Sequence, residues 1–444
     1  MKRILIAGGG WAGCAAAVSA AKQGAEVSLL EKTDLLLGAG NVGGIMRNNG
    51  RLTAEEENRA MGAGELFEIA EQCAVHRNVD FPGHVHASFY DAALVEPAVR
   101  RLLQELGVRI HFCSRAVDVK PAEPSADGRT QIAAVEVIQE GKLRWEEADS
   151  IIDATGSSGP MGNCSRHGKG CAMCIQRCPA FGPRVSLTAR AGGTDLAARR
   201  RNGSTGACFD KLGAVSGSCK LEKKSLSKEL QDTLNHDGFA VIPLPETLIR
   251  REKLSEKVCQ QYALEEFAEN IILIDTGQAK LMSPYFNLED LRTVPGFERV
   301  RFLDPYGGSG GNSVRYMSVS PREGSMRAEG FQNLFVAGEK SGFFVGHTEA
   351  ITTGSLSGYN ACRSEKEDFL ILPRSMACGE LLAYAQEVLQ EEDGLYRRLT
   401  FAGGEFLERM KERNLYTAGR DEIRQRTADA GLLDIYSLPK DGGL

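Results

Sequence analysis

The chain opens on a short apolar run, Arg3-Ile4-Leu5-Ile6-Ala7, followed by the small-residue stretch Gly8-Gly9-Gly10-Trp11-Ala12-Gly13. An alanine-rich segment then continues to Gly24, and a second apolar run, Ala25 to Leu30, ends at Glu31. The pattern predicts strand, turn, helix and strand, one βαβ unit with an acidic residue at the end of its second strand. Further on, Leu94, Ala98, Leu102, Leu103 and Leu106 recur at helical spacing between Asp91 and Leu106, and Gly107 is the stop. Val108 to Phe112 reads as a strand. Residues 132–139 and 142–146 read as a β-hairpin turning at Glu140-Gly141.

Two later apolar runs share one design. Ser150-Ile151-Ile152-Asp153-Ala154-Thr155-Gly156 and Asn333-Leu334-Phe335-Val336-Ala337-Gly338-Glu339 both run from apolar residues into small ones, and a helical pattern from Thr348 to Ala361 follows the second. Such strand-to-glycine endings bring backbone close to a ligand. The pattern divides the chain into a nucleotide-binding domain at 1–160 and 326–365, an inserted α+β substrate domain at 161–325, and a helical C-terminal region at 366–444, where periodicity is plainest in Glu380 to Leu389 and Glu405 to Met410. The expected fold class is α/β: a Rossmann-like parallel sheet with helices and a β-hairpin cap. Gly307-Gly308-Ser309-Gly310-Gly311 is followed by no helical pattern and is not a second dinucleotide site.

Composition narrows the function. With 444 residues, 42% hydrophobic and 25% charged, the chain is an ordinary globular one. Its formal charge of −6 supplies no global positive field for nucleic acid or an anionic membrane, and no apolar run approaches a membrane span. The opening residues enter a strand rather than a signal sequence, so a cytoplasmic protein is expected. Fifty glycines stand above the usual share of roughly 7%. Twelve cysteines in this setting point to metal or redox chemistry rather than a disulfide framework.

The glycine stretch has a mechanism at each position. Gly8 permits a tight turn, Gly10 lets a pyrophosphate approach the backbone at a helix N-terminus, Gly13 allows helix and strand to pack closely, and Glu31 accepts hydrogen bonds from a ribose. With the strand, helix and acidic residue all in place, the stretch resembles the FAD-dependent oxidoreductases of the glutathione-reductase-type fold. Ile151 to Gly156 and Phe335 to Glu339 carry the same resemblance. Leu291 to Phe297 and Gly338 to Ala361 are similar to the glucose-inhibited division protein A-related flavoproteins, which include folate- and FAD-dependent tRNA methyltransferases. The resemblance implies FAD, held by Gly8, Gly10, Trp11, Ala12, Gly13, Glu31, Lys32, Ala154 and Gly156. It also implies contacts from Gly338 and Glu339 near the ribityl and phosphate region, and from Thr348 and Glu349 where the late helix aims its N-terminus at the flavin. Most such flavoproteins carry Asp where this chain has Glu339.

Four thiols fall within fifteen residues, Cys164, Cys171, Cys174 and Cys178, the last followed by Pro179. This C-x6-C-x2-C-x3-C-P spacing suits a [4Fe–4S] cluster, with zinc as the alternative and a reactive thiol or disulfide relay as a third. The segment begins eight residues after Gly156, so an iron centre there would stand near FAD and convert two-electron into one-electron flow. The other cysteines receive no role. His347 reads equally as an acid–base group or a packing residue. His84 and His86 read as surface or core, and His167 as a donor to the cluster. Arg199-Arg200-Arg201 and Lys220 to Lys228 read as solvated basic faces. No residue is assigned to catalysis.

The leading expectation is therefore an FAD-dependent oxidoreductase that couples hydride chemistry on a small-molecule substrate to a [4Fe–4S] cluster. Ferredoxin or another carrier is the expected electron partner, since no separate NAD(P)H domain is visible. The alternatives are a folate- and FAD-dependent RNA-modifying enzyme, against which the acidic charge counts, and a zinc-stabilised flavoprotein.

Overall fold

The structure is a computed structural model and describes residues 1–123, 128–156, 182, 184–199, 214–216, 219–256, 260–282, 286–303, 313–315 and 317–437. Its centre is a five-stranded parallel sheet in the order β19-β10-β1-β2-β6, formed by β1 (Arg3–Ala7), β2 (Glu26–Leu30), β6 (Arg109–His111), β10 (Ser150–Asp153) and β19 (Leu334–Val336). Four of five residues in β1 and all of β10 are buried, as continuous apolar strands covered on both faces must be. The expected α/β class is what the chain adopts.

Helix α1 (Trp11–Lys22) follows β1 and is buried along almost its whole length. The long helix α9 (His347–Ala361) lies against it. A Cβ built on Gly354 would stand 2.1 Å from the carbonyl oxygen of Ala12, and one on Gly358 would stand 2.3 Å from that of Ala16. The two helices therefore meet backbone to backbone, which the small residues on both permit. Between these elements come α2 (Gly50–Ala60), α3 (Glu65–Gln72) and α4 (Ala92–Glu105), the last capped by the Asp91 carboxylate, which accepts a hydrogen bond from Ala93 N at 2.9 Å.

The predicted hairpin is β8 (Ile132–Gln139) and β9 (Lys142–Glu147), which with β7 (Ser114–Pro121) forms an antiparallel cap sheet. Its turn residues Glu140 and Gly141 both have positive φ, 51° and 76°, as a two-residue I′ hairpin loop requires. A second sheet, β3-β5-β4, contains β3 (Ile45–Met46), β4 (Ala74–Phe81) and β5 (His84–Tyr90). The interval after β10 carries a four-stranded antiparallel sheet in the order β13-β16-β15-β14: β13 (Cys219–Leu221), β14 (Phe239–Pro243), β15 (Asn270–Asp275) and β16 (Ala279–Leu281). With it come α5 (Leu187–Arg190), α6 (Lys228–Asp237), α7 (Glu266–Glu269) and α8 (Leu288–Leu291). Two short ribbons pair β11 (Leu196–Ala197) with β18 (Ser318–Val319) and β12 (Ala214–Ser216) with β17 (Ser313–Arg315).

The C-terminal region is helical: α10 (Ala377–Gln390), α11 (Gly404–Glu412) and α12 (Arg420–Asp429). It shares a core with α2 and α9 through Ala54, Leu356, Tyr359, Leu381 and Phe406. Glu57 of α2 is fully buried, and its carboxylate accepts from Ala377 N and Cys378 N, both at 2.9 Å, at the start of α10. No helix of the described residues is long and apolar enough to cross a membrane.

Candidate functional site

The site grows from the carboxyl ends of the parallel strands, where open α/β sheets hold their ligands. After β1 the chain turns at Gly8 with φ 107°, and a Cβ there would stand 2.4 Å from the carbonyl oxygen of Ala154 at the end of β10. Gly13 sits in the first turn of α1, where an added Cβ would lie 1.8 Å from the oxygen of Gly8. At Gly10 the same test meets nothing within 4 Å. Two of the three glycines are thus required by the chain's own backbone, and the third faces open space at the start of a helix.

Glu31 ends β2 and is 4% exposed. Its two oxygens accept hydrogen bonds from Gly9 N and Thr33 N, each at 2.8 Å. Burial pushes its pKa up, against the pull of these N–H donors. The neighbouring Lys32 donates to the carbonyl of Gly182 at 3.4 Å. Ala12 and Ala154 are buried, and Gly156 and Gly338 have positive φ, 61° and 67°. Gly338 N donates to Thr353 Oγ1 at 2.9 Å, which ties the end of β19 to α9.

The start of α9 meets the start of α1. The His347 ring stacks on Trp11 with centroids 5.5 Å apart, and a hydrogen bond of 2.9 Å joins His347 Nδ1 to Tyr90 Oη. A short 3-10 turn, Gly38–Val42, closes over this pair: an added Cβ on Gly40 would lie 2.3 Å from Trp11 Nε1. Burial, with the charges of Arg51 and Lys280 nearby, pushes the His347 pKa down to about 3. The imidazole is therefore neutral at ordinary pH. Of the two readings of His347, the structure shows a half-buried ring held by aromatic packing.

Glu349 is 0% exposed and belongs to a buried network. Arg51 Nε donates to both of its oxygens at 3.2 Å, and Thr400 Oγ1 and Phe401 N donate to Oε1 at 2.7 and 2.9 Å. Arg51 Nη1 reaches Asn48 Oδ1 at 3.2 Å, and Asn48 Nδ2 lies 3.1 Å from His84 Nδ1. The carboxylate proposed for cofactor contact is turned to Arg51. Glu339 is half-buried beside Lys340, whose ammonium is fully buried and donates to Ser186 Oγ at 2.6 Å and to Asp195.

Two buried polar atoms here have no hydrogen-bond partner, Trp11 Nε1 and Thr348 Oγ1. Both lie at helix starts, Trp11 directly after Gly10 and Thr348 directly after His347, whose ring stacks on Trp11. Donors so placed, with the positive ends of two helix dipoles, suit the diphosphate and the electron-rich edge of a dinucleotide cofactor. The residues present fit FAD.

The remaining readings separate cleanly. Cys164, Cys171, Cys174, Cys178 and His167 lie outside the described residues. Among the described residues, no group of three or more His, Cys, Asp or Glu is placed to hold a metal ion. Cys14, Cys219 and Cys378 are buried free thiols, in keeping with packing. His84 is a core residue against Phe81 and Tyr262. Lys220 departs from the solvated-face reading, for it is half-buried in β13. Sequence reasoning missed Arg51, Tyr90 and Lys280; the first and last are polar residues in buried places, which no periodicity announces.

Parts of the chain match known families. Residues 3–159 match the family model described as FAD dependent oxidoreductase. The chain is an enzyme of that class. Residues 249–368 match the model of glucose inhibited division protein A. The form II crystal structure of Aquifex aeolicus GidA superposes with a TM-score of 0.65 at 15% identity, over 97% of this chain and 74% of GidA. The form I structure gives 0.63 at 15% identity, over 99% and 78%. At that identity the likeness is one of fold.

Proposed function

We propose that this FAD-dependent oxidoreductase holds its cofactor across the starts of α1 and α9, with Gly8, Gly10 and Gly13 around the diphosphate, Glu31 at the ribose, and Trp11 and Thr348 supplying the free donors. Ala12, Lys32, Ala154, Gly156, Gly338 and Glu339 border the same path, and Glu349 acts behind it through Arg51. The observation that carries this reading is the pair of unpartnered polar atoms at the starts of α1 and α9, with the empty Cβ position of Gly10 immediately before the first. FAD, when bound, supplies a two-electron hydride acceptor and donor. The chain's own contribution is to concentrate positive potential at two helix starts and to exclude water with the Trp11, Tyr90 and His347 rings. Purified protein should contain about one flavin per chain by absorbance. A protein that neither retains nor takes up FAD would remove the reading.

For the reaction, the family match over 249–368 and the near-complete superposition on GidA support an RNA-modifying enzyme of the folate- and FAD-dependent kind. Binding of tRNA that weakens steeply with added salt is the expected sign. A second reading, a small-molecule oxidoreductase with a [4Fe–4S] cluster at Cys164, Cys171, Cys174 and Cys178 passing electrons to a ferredoxin-like carrier, is favoured by the thiol spacing. The residues that bracket this stretch also meet, Arg184 Nη1 donating to Thr155 Oγ1 at 3.4 Å near the end of β10. Anaerobic purification followed by iron, acid-labile sulfide and zinc counts separates the readings. Four irons and four sulfides lost in Cys171→Ala support the cluster. Zinc in their place supports a structural site, and neither metal leaves the RNA reading alone.

A further inference from the structure

Tyr90 ends β5 and is 1% exposed, and its hydroxyl meets His347 Nδ1 at 2.9 Å. Burial pushes the hydroxyl pKa up, against the pull of the Gly44 backbone, so the group keeps its proton. The direction of the hydrogen bond follows. A neutral imidazole can accept at Nδ1 or donate from it, and the bond made by one ring nitrogen sets where the ring proton sits. Among the described residues the Tyr90 hydroxyl makes no hydrogen bond to another acceptor, and a buried O–H left unpaired is costly. Tyr90 therefore donates to Nδ1, and the imidazole carries its proton on Nε2.

A glycine keeps the Nε2 edge clear. An added Cβ on Gly43 would lie 2.1 Å from His347 Cε1 and 2.7 Å from Nε2, so a side chain there would collide with that edge of the ring. Among the described residues Nε2 has no hydrogen-bond partner. The ring is half-buried and stacks on Trp11, whose Nε1 is unpartnered, and the next residue, Thr348, is wholly buried with an unpartnered Oγ1. His347 is the first residue of α9, so all three polar atoms stand at the helix starts assigned to the cofactor. The positive groups that act on the ring are Arg51 and Lys280. A neutral imidazole donates there without adding a third positive charge beside them.

We infer that Tyr90 is a positioning residue that holds His347 in the Nε2–H tautomer, so that a neutral imidazole offers a third donor at the start of α9 to the electron-rich edge of the flavin. The inference rests on the FAD-dependent reading and adds a preference within it, for the reduced and more negative form of the cofactor. A hydrogen-bond donor favours whichever form carries more negative charge on the accepting atom, and the positive end of the α9 dipole acts in the same direction. No proton changes hands, since the imidazole keeps its N–H in both redox states.

Nitrogen-15 NMR of the histidines in the flavin-free full chain reads the tautomer directly, with the His347 signal among the seven histidines identified by its loss in His347→Leu. The Nε2–H form is expected, and Tyr90→Phe, which keeps the ring and removes the hydroxyl, should release a mixture of the two tautomers. Potentiometry of the FAD-loaded chain reads the consequence. Tyr90→Phe should lower the preference for reduced over oxidised flavin roughly tenfold, a midpoint fall of about 30 mV for a two-electron couple. His347→Leu should lower it at least as far, and adding Tyr90→Phe to His347→Leu should change it no further. A role in packing alone would weaken both redox forms alike and leave the midpoint where it was, which overturns the inference. So does an Nδ1–H tautomer in the unaltered chain. A chain that shows the Nε2–H tautomer but takes up no FAD defeats the flavin reading, and a full flavin complement with an unmoved midpoint in Tyr90→Phe defeats this one alone.

Discussion

Gly13 and Gly8 are pressed together so closely that a methyl group on the first would stand 1.8 Å from the carbonyl oxygen of the second. The contact locks the first turn of α1 to the end of β1, and nothing flexible is available to yield. Gly10, two residues from Gly8, has extended backbone with φ −68° and an empty Cβ position. The two glycines should therefore fail differently. Gly13→Ala is expected to destabilise the chain by about 1–3 kcal/mol or more, seen as a lowered Tm with and without flavin. Gly10→Ala should leave the Tm of the flavin-free protein unchanged and weaken FAD roughly tenfold or more, because its methyl occupies the space where the diphosphate approaches.

Two imidazoles, His84 buried and His347 half-buried, set a pH response. His84 and His347 are both pushed down to about 3 from an ordinary 6.5, chiefly by burial. Their folded pKa values lie below the unfolded ones, so the stability they contribute is present above about pH 6.5 and is lost as pH falls toward 3. Each should add up to about 1.4 kcal/mol per pH unit to the slope of stability in that window. Urea melts at about pH 7, 6 and 5 check this. His84→Gln or His347→Gln should remove about half of the histidine-dependent slope, and an unchanged slope in both variants would show that neither ring is held neutral by its surroundings.

Much of the parallel sheet was legible in the sequence. Strand, glycine turn, alanine-rich helix and terminal Glu31 each carry a local signal, and the apolar runs of β10 and β19 repeat it. The hairpin at Glu140-Gly141 was legible because its turn type demands particular residues. Helix α2 was not. Its Arg51, Glu55, Glu57 and Asn58 are buried, yet a segment with that composition reads as a solvated one. Their burial is made tolerable by partners distant in sequence: Glu349 for Arg51, the start of α10 for Glu57, and Thr352 Oγ1 for Asn58.

Trp11 offers an optical probe of the cofactor path. The chain has two tryptophans, Trp11 at 3% exposure and Trp145 at 49%, so Trp145→Phe leaves a single buried emitter. Titration of this variant with FAD should quench most of the remaining fluorescence, because the indole stands at the start of α1 with its N–H lacking a partner. The quench should move to higher FAD concentration when Gly10→Ala is added. Full emission at saturating FAD would place the cofactor away from Trp11.

The Arg51–Glu349 pair makes the sharpest demand on the site. Both side chains are almost wholly buried, and the remaining capacity of each is met: Arg51 Nη2 donates to the Val345 carbonyl at 2.9 Å and to Thr400 Oγ1 at 3.1 Å, and Glu349 accepts from Thr400 and Phe401. The pair passes beneath Gly346, where an added Cβ would lie 2.0 Å from Glu349 Oε2 and 2.1 Å from Arg51 Nη2. It thus fixes the start of α9 to α2 and to the strand of residues that leads into α11. Removing one partner leaves the other as an uncompensated buried charge, so Glu349→Gln and Arg51→Met should each cost about 3–5 kcal/mol. Removing both charges, Arg51→Met with Glu349→Met, should cost clearly less than the sum of the two singles, because no orphaned charge remains. Urea denaturation of the four proteins closes the cycle. A strictly additive result would show that the two side chains do not share a site, and with it would go the fixed helix start on which the placement of Thr348 and His347 depends.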